Sequence, residues 1–285
     1  MNIALTKYHA LGNDFIVIEQ SKTHLTRRSL PGLARTMCSR RTGVGADGIL
    51  FLSTSRKADC RMDVYNADGS WAEKSGNGLR ITGLHLALNG GGRKPKRTAK
   101  EFRIETGTTV DTVNLIKKTA SGYLMKAELG RPTFEAASVP VKTRQKFVIN
   151  SAMKIGGEKL PMTCLAVGNP HTIIVVDNFD FDWQALGADL ETASLFPNGT
   201  NVEFVKIVSR KKFRVAEWER GAGATGSSGT GAGAVTAAMV TLGLAERTCE
   251  IEFDMGSLTV HWRTEDDILE LTGPVTKVMQ GTVEK

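Results

Sequence analysis

Two serines occupy corresponding places in two glycine-rich segments of the chain. Ser75 lies in residues 66–78, NADGSWAEKSGNG, and Ser228 lies in residues 219–231, ERGAGATGSSGTG. Each segment leads into an almost uncharged run that predicts a buried helix, so each serine is expected at a helix start. The first N–H groups of a helix bind anions, and glycine lets a ligand approach the backbone. The pair therefore predicts a site for a small carboxylate, with helix N-capping as the alternative role of each serine.

An acidic and a basic residue, Glu219 and Arg220, open the second of these segments. An α-amino acid needs an acceptor for its ammonium group and donors for its carboxylate, and this pair supplies one of each. The alternative is an ion pair on the protein surface. His171, in the run GNPH at residues 168–171, is either a catalytic helper or a structural histidine.

The chain repeats itself at a nearly constant offset. The Gly-Asn pair at residues 12–13 recurs 156 residues later, and residues 48–52 resemble residues 201–205 at an offset of 153. At that second offset Ser75 falls on Ser228. Matching segments in the same order indicate an internal duplication, so each half is expected to carry one serine site.

Each half combines many short strands with one long helix. Residues 15–18 and 172–176 are rich in β-branched side chains, which is typical of strands. The nearly uncharged runs at residues 78–88 and 231–242 predict helices that are buried on all sides. The sequence therefore predicts an α+β fold in which each half is a curved, mostly antiparallel sheet wrapped around a central helix.

The chain divides into two predicted domains. The first comprises residues 1–119 together with the C-terminal segment 274–285, and the second comprises residues 120–273. Two matched helix starts would hold a small acid from both sides, so we expect the working site where the two halves face each other.

The composition argues against several classes of protein. The four cysteines stand far apart, with no CxxC and no metal-type spacing to histidine, so neither a disulfide framework nor a metal site is predicted. The sequence has neither a long apolar run nor a signal peptide, and a soluble cytoplasmic protein is expected. Much of the net charge of +7 comes from residues 93–100. Because no aromatic residue interleaves this stretch, a solvated loop is favoured over a nucleic-acid-binding patch.

Taken together, these motifs resemble those of the pyridoxal-phosphate-independent amino-acid epimerases typified by diaminopimelate epimerase. The resemblance covers almost the whole chain. Its segments are residues 11–15, 42–48, 66–70, 75–80, 168–171, 201–204, 219–223 and 272–274. It implies two pseudo-symmetric β-barrel-like halves and an isomerase that uses no cofactor. It also implies a small amino-acid or carboxylic-acid substrate, with no nucleic-acid or membrane partner, and a homodimer is compatible with it.

The resemblance assigns roles to individual residues. Polar groups of the substrate would be held by Asn13, Asn66, Asn169 and Asn201. Its amino and carboxylate ends would be fixed by Glu219 and Arg220. N–H donors to the reacting carboxylate would come from Gly76, Asn77, Gly229 and Thr230. Members of the family carry two catalytic cysteines at the positions of Ser75 and Ser228, so the predicted catalytic residues are Ser75, Ser228, Glu219 and His171.

Serine at both cysteine positions changes the expected chemistry. A thiol has a pKa of about 8.5, whereas an alcohol acts as a base only beside an activating group. Candidates for that group are Asp68, Glu73, Lys74 and His171. We expect an isomerase that nominally inverts an amino-acid α-carbon. Three alternatives stay open: a double-bond isomerase that shifts a proton in an unsaturated acid, a carboxylate-binding protein without turnover, and an epimerase whose cysteines were replaced to trap a substrate.

Overall fold

The computed structural model describes residues 2–90, 100–107, 109–155 and 158–284. The chain forms two compact units, Met1–Glu128 with Thr272–Lys285, and Leu129–Leu271. The basic stretch that sequence analysis singled out lies outside the described residues, except for its last residue, Lys100. Within the described part of the chain, no helix is long and apolar enough to cross a membrane.

Strands make up most of the regular structure. They are β1 (Asn2–Ala10), β2 (Asn13–Glu19), β3 (Gly48–Ser53), β4 (Cys60–Asn66), β5 (Trp71–Ala72), β6 (Glu101–Thr106), β7 (Thr109–Thr119), β8 (Gly122–Gly130), β9 (Ser151–Ile155), β10 (Glu158–Ala166), β11 (Pro170–Val175), β12 (Asn201–Ser209), β13 (Lys212–Glu219), β14 (Gly223–Ala224), β15 (Thr248–Phe253), β16 (Gly256–Trp262) and β17 (Leu269–Glu284). The helices are α1 (Leu30–Met37), α2 (Gly76–Asn89), α3 (Trp183–Glu191) and α4 (Gly229–Thr241). The unit boundaries fall within β8 and β17, whereas the predicted division at residues 119 and 274 lies just before β8 and inside β17.

Eight strands of the first unit pair side by side around α2. Their order is β1-β2-β3-β4-β6-β7-β8-β17, and β17 pairs with β1 to close the barrel. The pairs β2–β3 and β4–β6 are parallel. In the closing pair, Asn2 lies opposite Glu284, so β17 brings residues that follow the second unit into the first.

The helix inside this barrel is buried along most of its length. The side chains of Leu79, Leu84 and Leu86 belong to one apolar core with Val113 and Met125 of the surrounding strands. A helix enclosed by a sheet needs no polar stripe, which is why this part of the sequence is almost uncharged.

The second unit repeats the pairing order of the first. The pairs β10–β11, β12–β13 and β15–β16 are antiparallel, and β11–β12 and β13–β15 are parallel. Residues that face each other also correspond, since Leu50 lies opposite Val64 in the first unit and Glu203 lies opposite Glu217 in the second. The helix α4 is buried from Gly229 to Met239. The predicted fold class and internal duplication are confirmed.

Sequence analysis predicted one helix per half and missed α1 and α3. In α1, the buried side chains of Leu30, Leu33 and Met37 pack in a second apolar cluster with Ile16 and Phe51. The helix α3 occupies the corresponding place between β11 and β12. These helices have only 8 and 9 residues, and the helical spacing of Leu30, Leu33, Ala34 and Met37 in α1 is a signal that sequence analysis did not use.

Candidate functional site

Ser75 is the N-cap of α2. Its backbone is extended, and its Oγ accepts a hydrogen bond from the Gly78 N–H at 3.0 Å. Capping uses one of the N–H groups that have no partner inside the helix. The hydroxyl keeps its own proton, so it is a donor towards any ligand at this helix start.

A directed chain of hydrogen bonds runs across the α2 start. The Arg80 guanidinium donates to Asn77 Oδ1 at 2.7 Å, and Asn77 Nδ2 donates to Asn13 Oδ1 at 2.9 Å. Asn13 Nδ2 then donates to Asp47 Oδ2 at 2.9 Å. Because the chain begins at a cation and ends at a carboxylate, it fixes the orientation of both amides. Two predicted substrate-binding residues, Asn13 and Asn77, are therefore brought together.

Arg80 is a buried cation without a carboxylate partner. Its side chain is fully buried, and burial lowers its pKa to about 9. Besides Asn77, it donates only to the Gly76 carbonyl oxygen, at 3.3 Å, and its Nε has no partner among the described residues. No Asp or Glu in the described part of the chain forms an ion pair with it.

Two further predicted positions in this unit have their own partners. Lys74, next to Ser75, is buried and pairs with Asp111 Oδ1 at 2.6 Å. Asp111 also accepts from the Thr106 hydroxyl at 2.6 Å, so this ion pair is well satisfied. Asn66 donates to the Ser70 hydroxyl at 3.0 Å in the turn that follows β4.

Ser228 caps α4 as Ser75 caps α2. Its Oγ accepts from the Gly231 N–H at 3.0 Å and lies 3.5 Å from the Thr230 hydroxyl. No Asp, Glu, Lys or His side chain of the described residues hydrogen-bonds to the Oγ of Ser75 or Ser228. The candidate activating groups named from the sequence therefore do not act on either hydroxyl directly in this structure.

Two buried glutamates lie against the α4 start. Glu203 and Glu217 face each other on β12 and β13, and each has an Oε2 atom without a partner among the described residues. A Cβ atom at Gly231 would lie 2.9 Å from Glu203 Oε1 and 2.9 Å from Glu217 Oε2. A larger residue at this position would therefore displace these carboxyl groups.

Glu219 belongs to the same acidic cluster. The Thr225 hydroxyl lies 2.5 Å from Glu219 Oε1 and 3.3 Å from Glu217 Oε1. Burial raises the pKa of the Glu217 carboxyl well above its usual value, and the neighbouring charges of Glu219 and Glu203 raise it further. Burial also raises the pKa of Glu219, although its hydrogen bonds to Glu217 and Thr225 oppose the shift. The cluster therefore binds a proton more readily than isolated carboxyl groups do.

His171 is fully buried and bonded at both ring nitrogens. Its Nδ1 lies 2.6 Å from Glu203 Oε1, and its Nε2 lies 2.9 Å from Asn169 Oδ1. It connects the acidic cluster to a predicted substrate-binding amide.

The Glu219–Arg220 turn is held from two sides. Asn201 Nδ2 donates to the Pro170 carbonyl oxygen at 2.7 Å, and its Oδ1 accepts from the Arg220 N–H at 2.9 Å. Glu191, at the end of α3, accepts from the Gly221 N–H at 2.8 Å. The helix α3, which sequence analysis did not predict, therefore helps to fix the backbone that carries Glu219 and Arg220.

Sequence analysis also missed Arg80, Glu203 and Glu217 as components of the site. The signal was present, because a charged residue inside an apolar helix or strand is rarely buried without a role. What the sequence does not reveal is the cross-strand register that places Glu203 opposite Glu217.

None of the four cysteines offers a reactive thiol. Cys38, Cys60, Cys164 and Cys249 are free and buried. Burial raises the pKa to about 12 for the first three and to about 11 for Cys249. In the described ranges, no group of three or more His, Cys, Asp or Glu side chains is arranged to hold a metal ion.

The fold is that of solved epimerases and isomerases. The structure of a hydroxyproline epimerase from Agrobacterium vitis matches with a TM-score of 0.73 at 12% identity, over 99% of this chain and 92% of that one. A methylitaconate-delta-isomerase structure matches with a TM-score of 0.66 at 13% identity, over 99% and 95% of the two chains. These likenesses define the fold class, in which each of two units is built around a central helix.

Within that class, the chain belongs to the diaminopimelate epimerase family, whose model matches residues 5–128 and 163–278. The diaminopimelate epimerase of Caldanaerobacter subterraneus subsp. tengcongensis is 38% identical over 280 residues, which cover 98% of both chains. The resemblance seen in the sequence is confirmed, and the protein is an isomerase. The placement of the site where the two halves face each other stays a prediction.

Proposed function

We propose that this isomerase moves a proton at the carbon beside a carboxylate, inverting the α-carbon of diaminopimelate or a close analogue. The observation that carries the proposal is Glu219, a half-buried carboxyl group whose pKa is raised by burial. A carboxyl with a raised pKa can remove a proton near neutral pH, and in this proposal inversion is completed by a proton that solvent delivers to the opposite face of the carbon while the carboxyl returns its own proton to solvent. The substrate class is taken from relatives such as the 38% identical diaminopimelate epimerase.

The helix starts supply the stabilisation that such a reaction needs. Loss of the α-proton moves negative charge onto the carboxylate oxygens, and N–H groups aimed at those oxygens stabilise that charge. The proposed donors are the N–H groups of Gly76, Asn77, Gly229 and Thr230. Arg220 binds a carboxylate through two parallel hydrogen bonds. The remaining polar groups are held by Asn13, Asn66, Asn169 and Asn201.

In this proposal, the serines position groups and do not abstract the proton. Each Oγ already accepts an N–H from its own helix, and an alcohol without an activating base is a poor nucleophile and a poor base. Glu219 is the proton-transfer group, and His171 orients Asn169 through their 2.9 Å contact.

A second reaction is favoured by one observation. Among the described residues, the buried cluster of Glu203, Glu217 and Glu219 lies at the α4 start, whereas the charged pair beside Ser75, Lys74 with Asp111, is already satisfied internally. A 1,3-proton shift in an unsaturated acid needs one base on one face of the substrate, whereas inversion needs a proton delivered to the opposite face. A double-bond isomerase is therefore the second candidate.

The test is solvent-deuterium incorporation measured by NMR. The full chain is incubated with diaminopimelate and, separately, with a panel of unsaturated carboxylic acids. Exchange with inversion identifies the epimerase, and exchange with a shifted double bond identifies the second candidate. We expect Glu219→Gln to slow exchange at least about a hundredfold, the usual scale for loss of a general base. Binding without exchange would leave a carboxylate-binding protein and overturn both reactions.

Two control variants complete the experiment. Glu246→Gln neutralises an exposed glutamate that pairs with Lys211, and it should exchange at the wild-type rate. The double variant Ser75→Cys with Ser228→Cys tests whether the serines replaced working cysteines, since full family-like epimerisation by that variant would show that they did. Equal loss in Glu219→Gln and Glu246→Gln would remove Glu219 from the proposed role.

We propose that the protein works in the cytoplasm on a small molecule and binds neither nucleic acid nor membranes. Assembly as a homodimer also stays a prediction, and sedimentation of the purified chain would decide it.

A further inference from the structure

A cleft lies within the second unit, between the β9–β10 hairpin and α3 and outside the two serine segments. Its volume of about 510 Å³ is in the usual range of small-molecule sites. Its walls include half-buried apolar side chains that pack against the core of this unit, namely Ile155, Leu160, Leu186 and Leu195. A cleft with such walls can accept the apolar part of a small molecule.

Two opposite charges stand on the walls of this cleft. Lys154 lies on β9 and Asp189 lies on α3, and both side chains are exposed. Among the described residues, neither side chain forms an ion pair with the other or with a third group. A molecule with a carboxylate, an ammonium group and an apolar chain fits this arrangement, because each charged end meets its opposite. A free aliphatic amino acid is the simplest molecule of that kind.

The helix α3 contacts the cleft on one side and β13 on the other. Its residues Leu186 and Asp189 line the cleft. Between them in sequence, Gly187 packs closely on Trp218 of β13, so that a Cβ atom at Gly187 would lie 2.7 Å from the Trp218 Cβ. Because protein interiors are densely packed, a shift of α3 at the cleft is passed on to Trp218 by direct contact.

The last residue of α3 extends this contact to the proposed site. Glu191 Oε2 accepts from the Trp218 indole N–H at 2.6 Å, and its Oε1 accepts from the Gly221 N–H at 2.8 Å. These two donors flank Glu219 and Arg220 in the sequence. Both hydrogen bonds are made to a carboxylate and are therefore strong and directional. One side chain of α3 thus fixes both ends of the Glu219–Arg220 pair.

The loop after α3 makes a second connection. Leu195 in this loop lines the cleft. Further along the loop, the Asn198 carbonyl oxygen accepts from the Arg220 guanidinium at 3.2 Å. A Cβ atom at Gly199 would lie 3.1 Å from Arg220 Cδ, so the arginine side chain lies directly against the loop. The position of Arg220 therefore depends on a segment that also forms the wall of the cleft.

We propose that this cleft is a regulatory site for a free aliphatic amino acid, and that its occupation strengthens substrate binding at Arg220. The carboxylate of the ligand meets Lys154 and its ammonium group meets Asp189, so the bound molecule ties α3 to the β9–β10 hairpin. A first ligand that orders an element lowers the cost of ordering it for a second ligand, and this coupling is reciprocal. The regulatory effect rests on the proposed function, whereas the binding site itself does not.

Calorimetry of the full chain with L-leucine tests the site. We expect leucine to bind, and its affinity to fall at least about fivefold in Lys154→Gln and in Asp189→Asn, because each variant loses a charge-assisted hydrogen bond. Isocaproate lacks the ammonium group of leucine and isopentylamine lacks its carboxylate, so both should bind the wild type correspondingly more weakly. The matched control Glu265→Gln changes an exposed glutamate between β16 and β17, and it should bind leucine as the wild type does.

Two measurements test the coupling. The indole N–H resonance of Trp218, identified by its absence from the NMR spectrum of Trp218→Phe, should move when leucine binds. Saturating leucine should also lower the dissociation constant of diaminopimelate about fivefold, whereas leucine that occupied the substrate site would raise it. Glu191→Gln should still bind leucine but lose most of this effect, since the amide replaces one acceptor oxygen with a donor group.

The outcomes separate the inference from the proposed function. Absence of leucine binding, or equal binding in the wild type and both cleft variants, would overturn the site and leave the proposed function intact. Binding in the cleft that moves neither the Trp218 resonance nor the affinity for diaminopimelate would overturn the regulation. If the wild type does not bind diaminopimelate, the proposed function fails, and the Trp218 resonance decides whether the cleft is coupled to the turn.

Discussion

Glu203 and Glu217 form the sharpest electrostatic conflict among the described residues. Like charges directly opposite each other on neighbouring strands destabilise a sheet, and burial makes the conflict worse. Burial and the neighbouring carboxyl groups raise the pKa of Glu217, which favours its protonated form and relieves the conflict. The proton is thereby kept within the cluster that contains Glu219. Groups whose pKa values are shifted by burial and by like charges are common at functional sites, which supports the acid–base role proposed for the cluster.

This conflict predicts a pH-dependent gain of stability in Glu217→Gln. A carboxyl whose folded pKa is raised stabilises the fold below its unfolded pKa, and this stabilisation is lost as the pH rises towards the folded value. The glutamine side chain of the variant does not ionise, so its stability does not fall in this way as the pH rises. We expect Glu217→Gln to match the wild type near pH 5 and to exceed it by roughly 1 kcal/mol or more at pH 8.

Denaturant unfolding at the two pH values measures the difference in free energy of unfolding between Glu217→Gln and the wild type. Glu246→Gln, on the exposed surface, should show no such pH dependence. A Glu217→Gln variant that is less stable than the wild type at pH 8 would contradict the account of a protonated carboxyl.

At the scale of elements, the two serines stabilise the helix starts that we propose as the ligand site. Both serines accept an N–H bond from the third residue of their helix, at 3.0 Å in each case. A hydroxyl is a better hydrogen-bond acceptor than a thiol, so serine at these positions favours helix capping. Cysteine ionises more easily and favours proton transfer. The same two positions thus set how well the helix is capped and which chemistry it can support.

The caps predict a modest and equal cost of substitution. We expect Ser75→Ala and Ser228→Ala each to lower the free energy of unfolding by about 1 kcal/mol. Ser29 provides the matched control, because it precedes α1 without a capping hydrogen bond from its side chain. Ser29→Ala should cost clearly less in the same urea titration. A cost of several kcal/mol at either cap would mean that the serine has a structural role beyond capping.

The elements that could be predicted are those whose composition follows from burial. The helices α2 and α4 are enclosed, so their sequences are apolar throughout, and the duplicated strands appear twice. The helices α1 and α3 are short, and the helical spacing of Leu30, Leu33, Ala34 and Met37 in α1 extends over only two turns. The acidic cluster depends on the pairing of β12 with β13, and the Arg80 chain depends on contacts 64 residues apart in sequence. Such contacts are products of tertiary structure, and no local pattern encodes them.

At the scale of the whole molecule, β17 completes the first unit. It pairs with β1 from Asn2 to His9 and so closes the barrel around α2. Barrel closure removes the exposed edges that would otherwise be left on β1 and β8. The stability of α2, and with it the Ser75 site, therefore depends on residues that are distant in sequence.

Removing residues 277–284 should open this barrel. We expect the first unit to lose at least about 3 kcal/mol through its missing backbone hydrogen bonds. Hydrogen exchange should then show loss of protection in α2 while α4 keeps its own. The control Val278→Thr changes an exposed side chain and leaves the backbone pairing intact, so it should exchange as the wild type does. Equal loss of protection in α2 and α4 would mean that the two units unfold together.

The position of β17 also sets an order for biosynthesis. A ribosome synthesises Leu129–Leu271 before the part of β17 that pairs with β1. Until that part has been made, the barrel of the first unit stays open at β1. At typical translation rates this delay is on the order of ten seconds, which is long compared with the collapse of a nascent chain. The first unit therefore begins to emerge before the second unit and is completed after it. During that interval, the edge of β1 lacks its partner strand and is available to a chaperone that protects nascent chains.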